Sequence, residues 1–275
     1  MAAECLGMIG DTSSGMAFYR LNARLGMERF VRGVNYWRYV EYPWVIDNLC
    51  LAEGQRILDI GSSSCSLLPL FLAYRRRYVV FVTDIDERVL NHVALARKLG
   101  LTEQTKSSRL IVERQDATAL KYEDETFDRV TAVSVLEHLP DQEDTKATKE
   151  LCRVLKGGGL ALVTVPYCYR YRETFVNQDI YQRAYSGGPV FYQRHYDVSS
   201  LATRLVEPSG MKVRRIEYYG ETGARFERIW DSLPLPVKGI LAWMTPIFST
   251  LFIGRIEDSA DRRAMAAFLV LEKSA

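Results

Sequence analysis

The sequence predicts an α/β fold in which helices cover both faces of a mostly parallel sheet. Strand-length apolar runs alternate with helix-length segments five times between residues 51 and 166, a pattern typical of parallel strands joined by crossover helices. Acidic or small polar residues follow several of these runs directly. In such sheets the carboxyl ends of the strands form the ligand-binding edge.

Composition, charge and cysteine content narrow the classes of function. The 275 residues are 48% hydrophobic and 25% charged, which is ordinary for a globular chain. A net charge of +2 is too balanced to predict a nucleic-acid partner, and three scattered histidines predict no metal site. Five cysteines without framework spacing favour reduced thiols and a cytoplasmic location. No signal peptide is expected, because no basic region followed by an apolar run opens the chain.

Residues 1–50 are expected to form a helical cover on the sheet. Between residues 34 and 49 aromatic side chains recur at helical spacing, and Pro43 interrupts the pattern. Most of these rings are expected to pack on the sheet. The alternative is that Tyr36 and Arg38 reach over a ligand bound at the sheet edge.

The first strand and the turn after it carry the strongest local signal. An apolar run at residues 56–60 contains Asp59 near its end, and Gly61 and several small residues separate it from a helix-length apolar run at 67–73. Gly61 can adopt a positive φ and lets a ligand approach the backbone. The free N–H groups of the following helix point into the same space. The glycine patterns of dinucleotide-binding turns and of phosphate-binding loops are both absent.

The second strand is predicted at residues 78–84 and ends at Asp84. Its nearly continuous apolar run indicates a strand buried on both faces. A carboxylate at this position can accept hydrogen bonds from both hydroxyls of a ribose. The alternative is that Asp84 caps the next helix, but Asp86 lies closer to that helix and fits the cap better.

The turn resembles the first motif of class I S-adenosylmethionine-dependent methyltransferases, acid-x-Gly-x-Gly-x-Gly. Asp59 and Gly61 match this motif, and Ser63 and Cys65 stand where its second and third glycines usually are. Three later segments support the resemblance. They are Gln-Asp-Ala at residues 115–117, Leu-Glu-His-Leu at 136–139 and Leu-Lys-Gly-Gly-Gly at 155–159.

The resemblance implies roles for residues at each strand end. Ile85 would pack on the adenine ring of S-adenosylmethionine, and Asp116 would accept from its exocyclic amine; the alternative is that Asp116 only caps a turn. Arg38 would pair with the methionine carboxylate. The complete predicted set of cofactor-binding residues is Tyr36, Arg38, Asp59, Gly61, Ser63, Asp84, Ile85, Asp116, Ala117, Ser134 and Val135.

The resemblance also implies a Rossmann-like sheet of seven strands. The cofactor-binding core would span residues 51–166, and residues 199–275 would complete it with a sixth strand at 211–219 and an antiparallel last strand at 267–272. Between these two strands lies an apolar insertion at about 221–262.

Residues 167–198 are predicted to form a substrate-binding or lid insertion, since aromatic residues and arginines alternate there. The predicted substrate-binding residues are Tyr167, Tyr171, Tyr192 and His195. His195 is also the candidate general base, because an unperturbed imidazole titrates near neutral pH. The alternatives are a surface extension that uses its rings for packing, and catalysis by positioning alone.

Within the apolar insertion, residues 233–253 carry a single charged residue, Lys238. The length is close to that of a membrane span. Three prolines and the return to a core strand argue against crossing. The expected role is a lid, a contact between two copies of the chain or a patch that contacts a membrane surface.

The predicted function is methyl transfer from S-adenosylmethionine to an oxygen or nitrogen of a small, apolar or aromatic acceptor. No metal and no nucleic acid are expected to take part. One alternative is C-methylation of a lipid-like acceptor at a membrane surface, which would make the cytoplasmic protein membrane-peripheral. Another is a subunit that holds the cofactor without turning it over.

Overall fold

A mixed sheet is the centre of the computed structural model, which describes residues 15–32, 34–75, 77–177, 188–223 and 225–275. Its eight strands, within these residues, are β1 Arg56–Ile60, β2 Val79–Asp84, β3 Leu110–Arg114, β4 Phe127–Val133, β5 Leu155–Pro166, β8 Lys212–Glu221, β9 Ile253–Ile256 and β10 Ala266–Glu272. The strand order is β3-β2-β1-β4-β5-β10-β8-β9. A separate hairpin consists of β6 Arg172–Val176 and β7 Val190–His195.

Strand directions confirm the predicted class of sheet. Strands β1 to β5 run parallel to one another, and β10 is antiparallel to both of its neighbours, β5 and β8. The predicted count of seven strands is wrong, because β9 adds an eighth, antiparallel to β8. This strand has only four residues and lies at the sheet edge, so its alternation is too short to be recognised in the sequence.

Helices cover both faces of the sheet, as predicted. They are α1 Gly15–Ala23, α2 Met27–Arg32, α3 Arg38–Leu49, α4 Leu68–Tyr74, α5 Asn91–Lys98, α6 Thr102–Lys106, α7 Glu143–Val154, α8 Val198–Ser200, α9 Glu207–Ser209, α10 Phe226–Ser232, α11 Leu235–Leu241 and α12 Thr245–Phe252. Neighbouring residues of β1 show the two layers: Ile57 packs into a core that includes Val45 of α3, and Leu58 into a core that includes Leu151 of α7. Both strand residues are fully buried.

The apolar insertion folds as α10, α11, a short 3₁₀ turn at Ala242–Met244, α12 and then β9. Prolines lie in the first turns of α11 and α12, where their missing N–H groups cost no helical hydrogen bond. Among the residues described, no helix combines the length and the apolar character that crossing a bilayer requires.

A buried group of charges ties the β6–β7 hairpin to the core. Asp144 of α7 and Arg194 of β7 are both fully buried and form an ion pair with a nitrogen-to-oxygen distance of 2.5 Å. The carboxylate of Asp144 also accepts hydrogen bonds from Arg204 at 2.8 Å and from the hydroxyl of Tyr196 at 2.9 Å. The Arg194 guanidinium donates to the carbonyl oxygen of Leu139 at 2.7 Å. The carboxylate of Asp144 is therefore one of the groups that fix the position of the hairpin.

Candidate cofactor site

The sheet brings the predicted residues to a common edge. Asp84 ends β2 and Ser134 follows β4, while Asp116 lies just beyond β3. Because β1 to β4 are parallel and in register, their carboxyl ends lie side by side. Asp84, Asp116 and Ser134 therefore lie at one edge of the sheet, as the predicted cofactor site requires.

The turn after β1 requires a glycine. Gly61 has a φ of 68°, and a Cβ built on it would lie 2.3 Å from Cγ2 of Val135. Any larger residue would therefore meet both backbone strain and a steric clash. The turn and the segment after β4 are in direct contact at this point.

Asp59 is a buried residue whose side chain bonds the turn after β1. It is 2% exposed, and its oxygens accept from the hydroxyls of Ser62 at 2.5 Å and Thr131 at 2.6 Å. Burial raises the pKa of Asp59 to about 6, although these hydroxyls favour the charged form. A direct contact between Asp59 and the cofactor stays a prediction.

Asp84 is held at the edge by the backbone. Its Oδ2 accepts from the N–H of Ser63 and its Oδ1 from the N–H of Asp86, each at 2.8 Å. A carboxylate offers about four lone-pair sites, so each oxygen retains one for a hydroxyl donor. Asp86 caps the following helical turn, because its side chain accepts from the N–H of Arg88. The prediction that Asp86, and not Asp84, is the helix cap is therefore confirmed.

Asp116 and Ile85 lie beside Asp84. The N–H of Gln115 donates to the carbonyl oxygen of Asp84 at 2.9 Å, which places the start of the Asp116 turn against the end of β2. Oδ1 of Asp116 accepts from both the N–H and the hydroxyl of Thr118, each at 2.8 Å. Asp116 therefore does cap this turn, and both capping bonds use Oδ1. Neither of them uses Oδ2. Ile85 is 57% exposed, so its side chain is accessible to a ligand, and its packing on an adenine ring stays a prediction.

Glu41 is a component of this edge that the sequence interpretation missed. It is 3% exposed, and its Oε1 accepts from the hydroxyls of Ser134 at 2.7 Å and Thr164 at 2.8 Å. Its other oxygen forms an ion pair with Arg38. Although burial opposes the charged guanidinium, Glu41 raises the pKa of Arg38 above its usual value. The carboxylate of Glu41 therefore links α3 to the ends of β4 and β5.

One signal in the sequence pointed to Glu41. It is the only acid between the aromatic residues at 36–44, and an acid on an apolar helix face needs a buried partner. Tyr36, predicted to cover the cofactor, is 3% exposed and packs on Phe226 of α10, with 5.1 Å between ring centroids. Pairing of Arg38 with a methionine carboxylate stays a prediction, since its partner here is Glu41.

A second buried acid follows β4. Glu137 is 1% exposed, and its Oε2 has no hydrogen-bond partner among the described residues. Burial raises the pKa of Glu137 to about 8, the nearby Arg38 opposes the shift, and Glu41 adds to it. The next residue, His138, contacts the carbonyl oxygen of Tyr192 through Nδ1 at 2.9 Å. A carboxyl group that is mostly protonated at neutral pH thus lies beside the strand ends.

The predicted substrate-binding residues lie in and around the hairpin; residues 178–187 of this insertion lie outside the described part of the chain. Tyr167 is 3% exposed and donates to the carbonyl oxygen of Ser259 at 2.8 Å, and Tyr171 donates to Glu173 at 2.6 Å. Tyr192 lies against His138, with 5.4 Å between ring centroids. Each of these tyrosines has a packing or hydrogen-bonding contact within the protein, and their role in binding a substrate stays a prediction.

His195 ends β7 and differs from an ordinary histidine. Burial, and next the charge of Arg172, lower its pKa to about 4. Its imidazole is therefore neutral across the physiological range, and the argument from a pKa near neutrality does not apply. Its Nδ1 is buried without a hydrogen-bond partner within the described residues. A role for His195 as general base stays a prediction. No group of three or more metal-binding side chains occurs in the part of the chain that the structure describes.

Comparison with known proteins identifies the centre of the fold. Residues 58–163 match the family model described as a methyltransferase domain. These residues include the carboxyl ends of β1, β2 and β4 and the acids that lie there. The core of the chain is a class I methyltransferase domain. Its family uses S-adenosylmethionine, and the acceptor sites that Asp84 retains beside its two backbone hydrogen bonds fit that cofactor.

Two curated relatives and one solved structure show the extent of the similarity. The chain is 33% identical over 113 residues to a phosphatidylethanolamine N-methyltransferase of Cereibacter sphaeroides, covering 41% of this chain and 51% of that protein. It is 26% identical over 134 residues to a sterol 24-C-methyltransferase of Aspergillus fumigatus, covering 48% and 34%. The alignments thus span about half or less of these relatives. A SAM-dependent methyltransferase from Methanosarcina mazei shares the fold, with a TM-score of 0.54, 18% identity and coverage of 84% of this chain and 97% of that one.

The raised pKa of Glu137 predicts how stability depends on pH. Its ordinary value is 4.5 and its value in the fold is about 8, so the folded domain binds this proton more tightly than the unfolded chain. The resulting stabilisation is complete below pH 4.5 and is lost as the pH rises toward 8. Between pH 6 and pH 8 the Glu137→Gln variant should therefore gain roughly 2 kcal/mol in unfolding free energy relative to wild type.

Urea unfolding followed by circular dichroism at several pH values measures this difference. Glu53→Gln, at an exposed acid, is the control and should follow the wild-type curve in parallel. If the Glu137→Gln curve is also parallel to wild type, Glu137 is ionised in the fold and its burial has been misjudged.

Proposed function

We propose that the protein transfers the methyl group of S-adenosylmethionine to an oxygen or nitrogen of a small acceptor with a large apolar part. The observation that carries this proposal is the common edge at which Asp84, Gly61 and Asp116 meet inside a methyltransferase domain. The residue roles at that edge belong to the proposal.

The chain's own residues would bind and orient. Asp84 would accept the ribose hydroxyls, Ile85 would pack on the adenine and Oδ2 of Asp116 would accept from its amine. Bound there, S-adenosylmethionine supplies a methyl group on a positively charged sulfur. As that charge disappears during transfer, alignment and the exclusion of water supply much of the rate. The buried Tyr36 and the β6–β7 hairpin would exclude water.

The acceptor side of the edge supports an apolar substrate. Beyond β4 the edge continues through β5 and β10 to β8, and α10 to α12 follow β8 directly. Several apolar side chains of these helices are exposed, among them Ile240 at 72% and Trp243 at 50%. Such side chains outside a core commonly contact ligands, partners or membranes.

Methylation of a lipid-like acceptor at a membrane surface is the second candidate. The exposed apolar helices favour it, and the names of the two curated relatives state lipid substrates, phosphatidylethanolamine and a sterol. The two alignments cover 41% and 48% of this chain, so the substrate of this chain belongs to the proposal. Transfer to carbon, as the sterol relative's name states, is included in this candidate.

Release of S-adenosylhomocysteine tests the function. Purified protein with S-adenosylmethionine is given three acceptors in turn: a soluble aromatic amine or phenol, a sterol, and phosphatidylethanolamine in vesicles. We expect product with at least one class, and mass spectrometry of the methylated acceptor identifies the attacking atom. Tight cofactor binding without product from any class would support the cofactor-holding subunit instead.

A further inference from the structure

A cleft lined by arginines lies at the acceptor side of the sheet edge. Its volume is about 760 Å³. Two carboxylates, those of Glu221 and Glu227, also line it. The six arginines are Arg170, Arg172, Arg225, Arg228, Arg262 and Arg263.

The positive charge of this arginine cleft is concentrated and largely unneutralised. The whole chain carries a net charge of only +2, yet six guanidinium groups face two carboxylates here. Among the described residues, Arg263 alone of the six has a carboxylate partner, Asp261 at 2.7 Å. Oε1 of Glu221 is already engaged by the N–H of Glu227 at 2.7 Å. An anion with several acceptor oxygens would satisfy the remaining donors.

The topology places the arginine cleft on the same edge as the cofactor residues. Strands β5 and β8 run in the same direction, because β10 lies antiparallel between them. Arg170 and Arg172 follow β5, and Arg225 and Arg228 follow β8. Neighbouring strands are about 4.8 Å apart, so β8 lies roughly 15 Å from β4. A ligand that reaches from the cleft to the cofactor edge must be much longer than its anionic group.

An exposed apolar stripe ends near the arginine cleft. Its members recur every three or four residues along α11, the 3₁₀ turn and α12, which places them on one helical face. They are Val237, Ile240, Trp243, Ile247 and Leu251, each at least 37% exposed. Helix α10 connects the two features, since Arg228 lines the cleft while Phe226 stacks on Phe252 of α12 with ring centroids 5.1 Å apart.

We propose that the arginine cleft binds the phosphate of an amphiphilic methyl acceptor, while the apolar stripe contacts its hydrocarbon part. This assignment rests on the proposed function and names its substrate class. Guanidinium groups match phosphate oxygens in geometry and charge. Nucleic acid also carries phosphates, but it offers nothing to cover the adjoining apolar stripe, and a phosphate-bearing amphiphile matches both surfaces.

Direct binding tests the assignment without turnover. The probes are glycerol phosphate in solution, vesicles of phosphatidylcholine mixed with phosphatidylglycerol, and vesicles of phosphatidylcholine alone. The cleft variant is Arg225→Gln/Arg228→Gln, and the stripe variant is Ile240→Ser/Trp243→Ser. The matched control is Arg77→Gln/Arg97→Gln, which removes two exposed charges away from the cleft.

We expect the cleft variant to lose about tenfold or more in affinity for the mixed vesicles, with a weaker dependence on salt. The control should bind like wild type, and affinity for S-adenosylhomocysteine should be unchanged in all variants. Loss of glycerol phosphate binding in the cleft variant alone would show that a free phosphate suffices. Loss of only vesicle binding, in both cleft and stripe variants, would show that the lipid surface is required; either result supports the site.

Unchanged vesicle and glycerol phosphate binding by the cleft variant would overturn the assignment. So would sedimentation of the wild type as a dimer that the stripe variant abolishes, because a second copy would then cover the stripe. If wild type binds the anionic probes through the cleft but never releases S-adenosylhomocysteine, the proposed function fails while the phosphate site stands.

Discussion

Replacing Asp84 by Ala is expected to reduce the affinity for S-adenosylmethionine by two to three orders of magnitude. Both carboxylate oxygens are held in place by N–H groups at 2.8 Å, so the acceptors for a ribose are positioned before binding. Hydrogen bonds to a charged group contribute about 1.5–3 kcal/mol each. Losing two of them, together with the brace on the Ser63 turn, accounts for a change of this size.

Isothermal titration calorimetry with S-adenosylhomocysteine measures the loss. Asp86→Ala is the matched control, since the side chain of Asp86 caps the next helical turn and bonds only Arg88 among the described residues. It should bind the cofactor like wild type. Equal affinity in Asp84→Ala and wild type would remove the ribose assignment.

Replacing Asp144 by Ala should lower the free energy of unfolding by about 3–5 kcal/mol, the usual cost of leaving one partner of a buried ion pair alone. Arg194 is fully buried, and its ion-pair partner is Asp144. Arg204 and Tyr196 would lose an acceptor in the same step.

Urea denaturation gives this value, and two variants make the result interpretable. Asp124→Ala removes an ion pair whose carboxylate is 74% exposed, and should cost no more than about 1 kcal/mol. The double variant Asp144→Ala/Arg194→Met removes both buried charges and should recover part of the loss. If the double variant is less stable than Asp144→Ala alone, the charge of Arg194 is satisfied by other groups.

The strand ends were predictable because they depend on local patterns. Apolar runs with an acid at or near their carboxyl end located Asp59 and Asp84, and parallel pairing then required the two acids to share an edge. The buried acids Glu41 and Glu137 were not found, because their burial arises only when segments far apart in the chain pack together. Glu41 meets Ser134 and Thr164 only after α3 packs on the sheet.

The pKa of His195 could not be predicted from the sequence either. Its residue type suggested a titration near neutral pH, while its surroundings in β7 lower the pKa to about 4. Burial and the charge of Arg172 are tertiary properties. The short strand β9 was missed for a related reason, since it is defined by pairing with β8 rather than by its own four residues.

The hydrogen bonds of Glu41 affect where a stable fragment of the protein could begin. Homology delimits residues 58–163, but Glu41, which bonds Ser134 after β4 and Thr164 near the end of β5, lies outside them. A fragment cloned to the homologous boundaries would lack this acid and would also lack β10, which pairs with β5 along its length. We therefore expect a fragment limited to the homologous residues to be less stable than a fragment that includes α3 and β10.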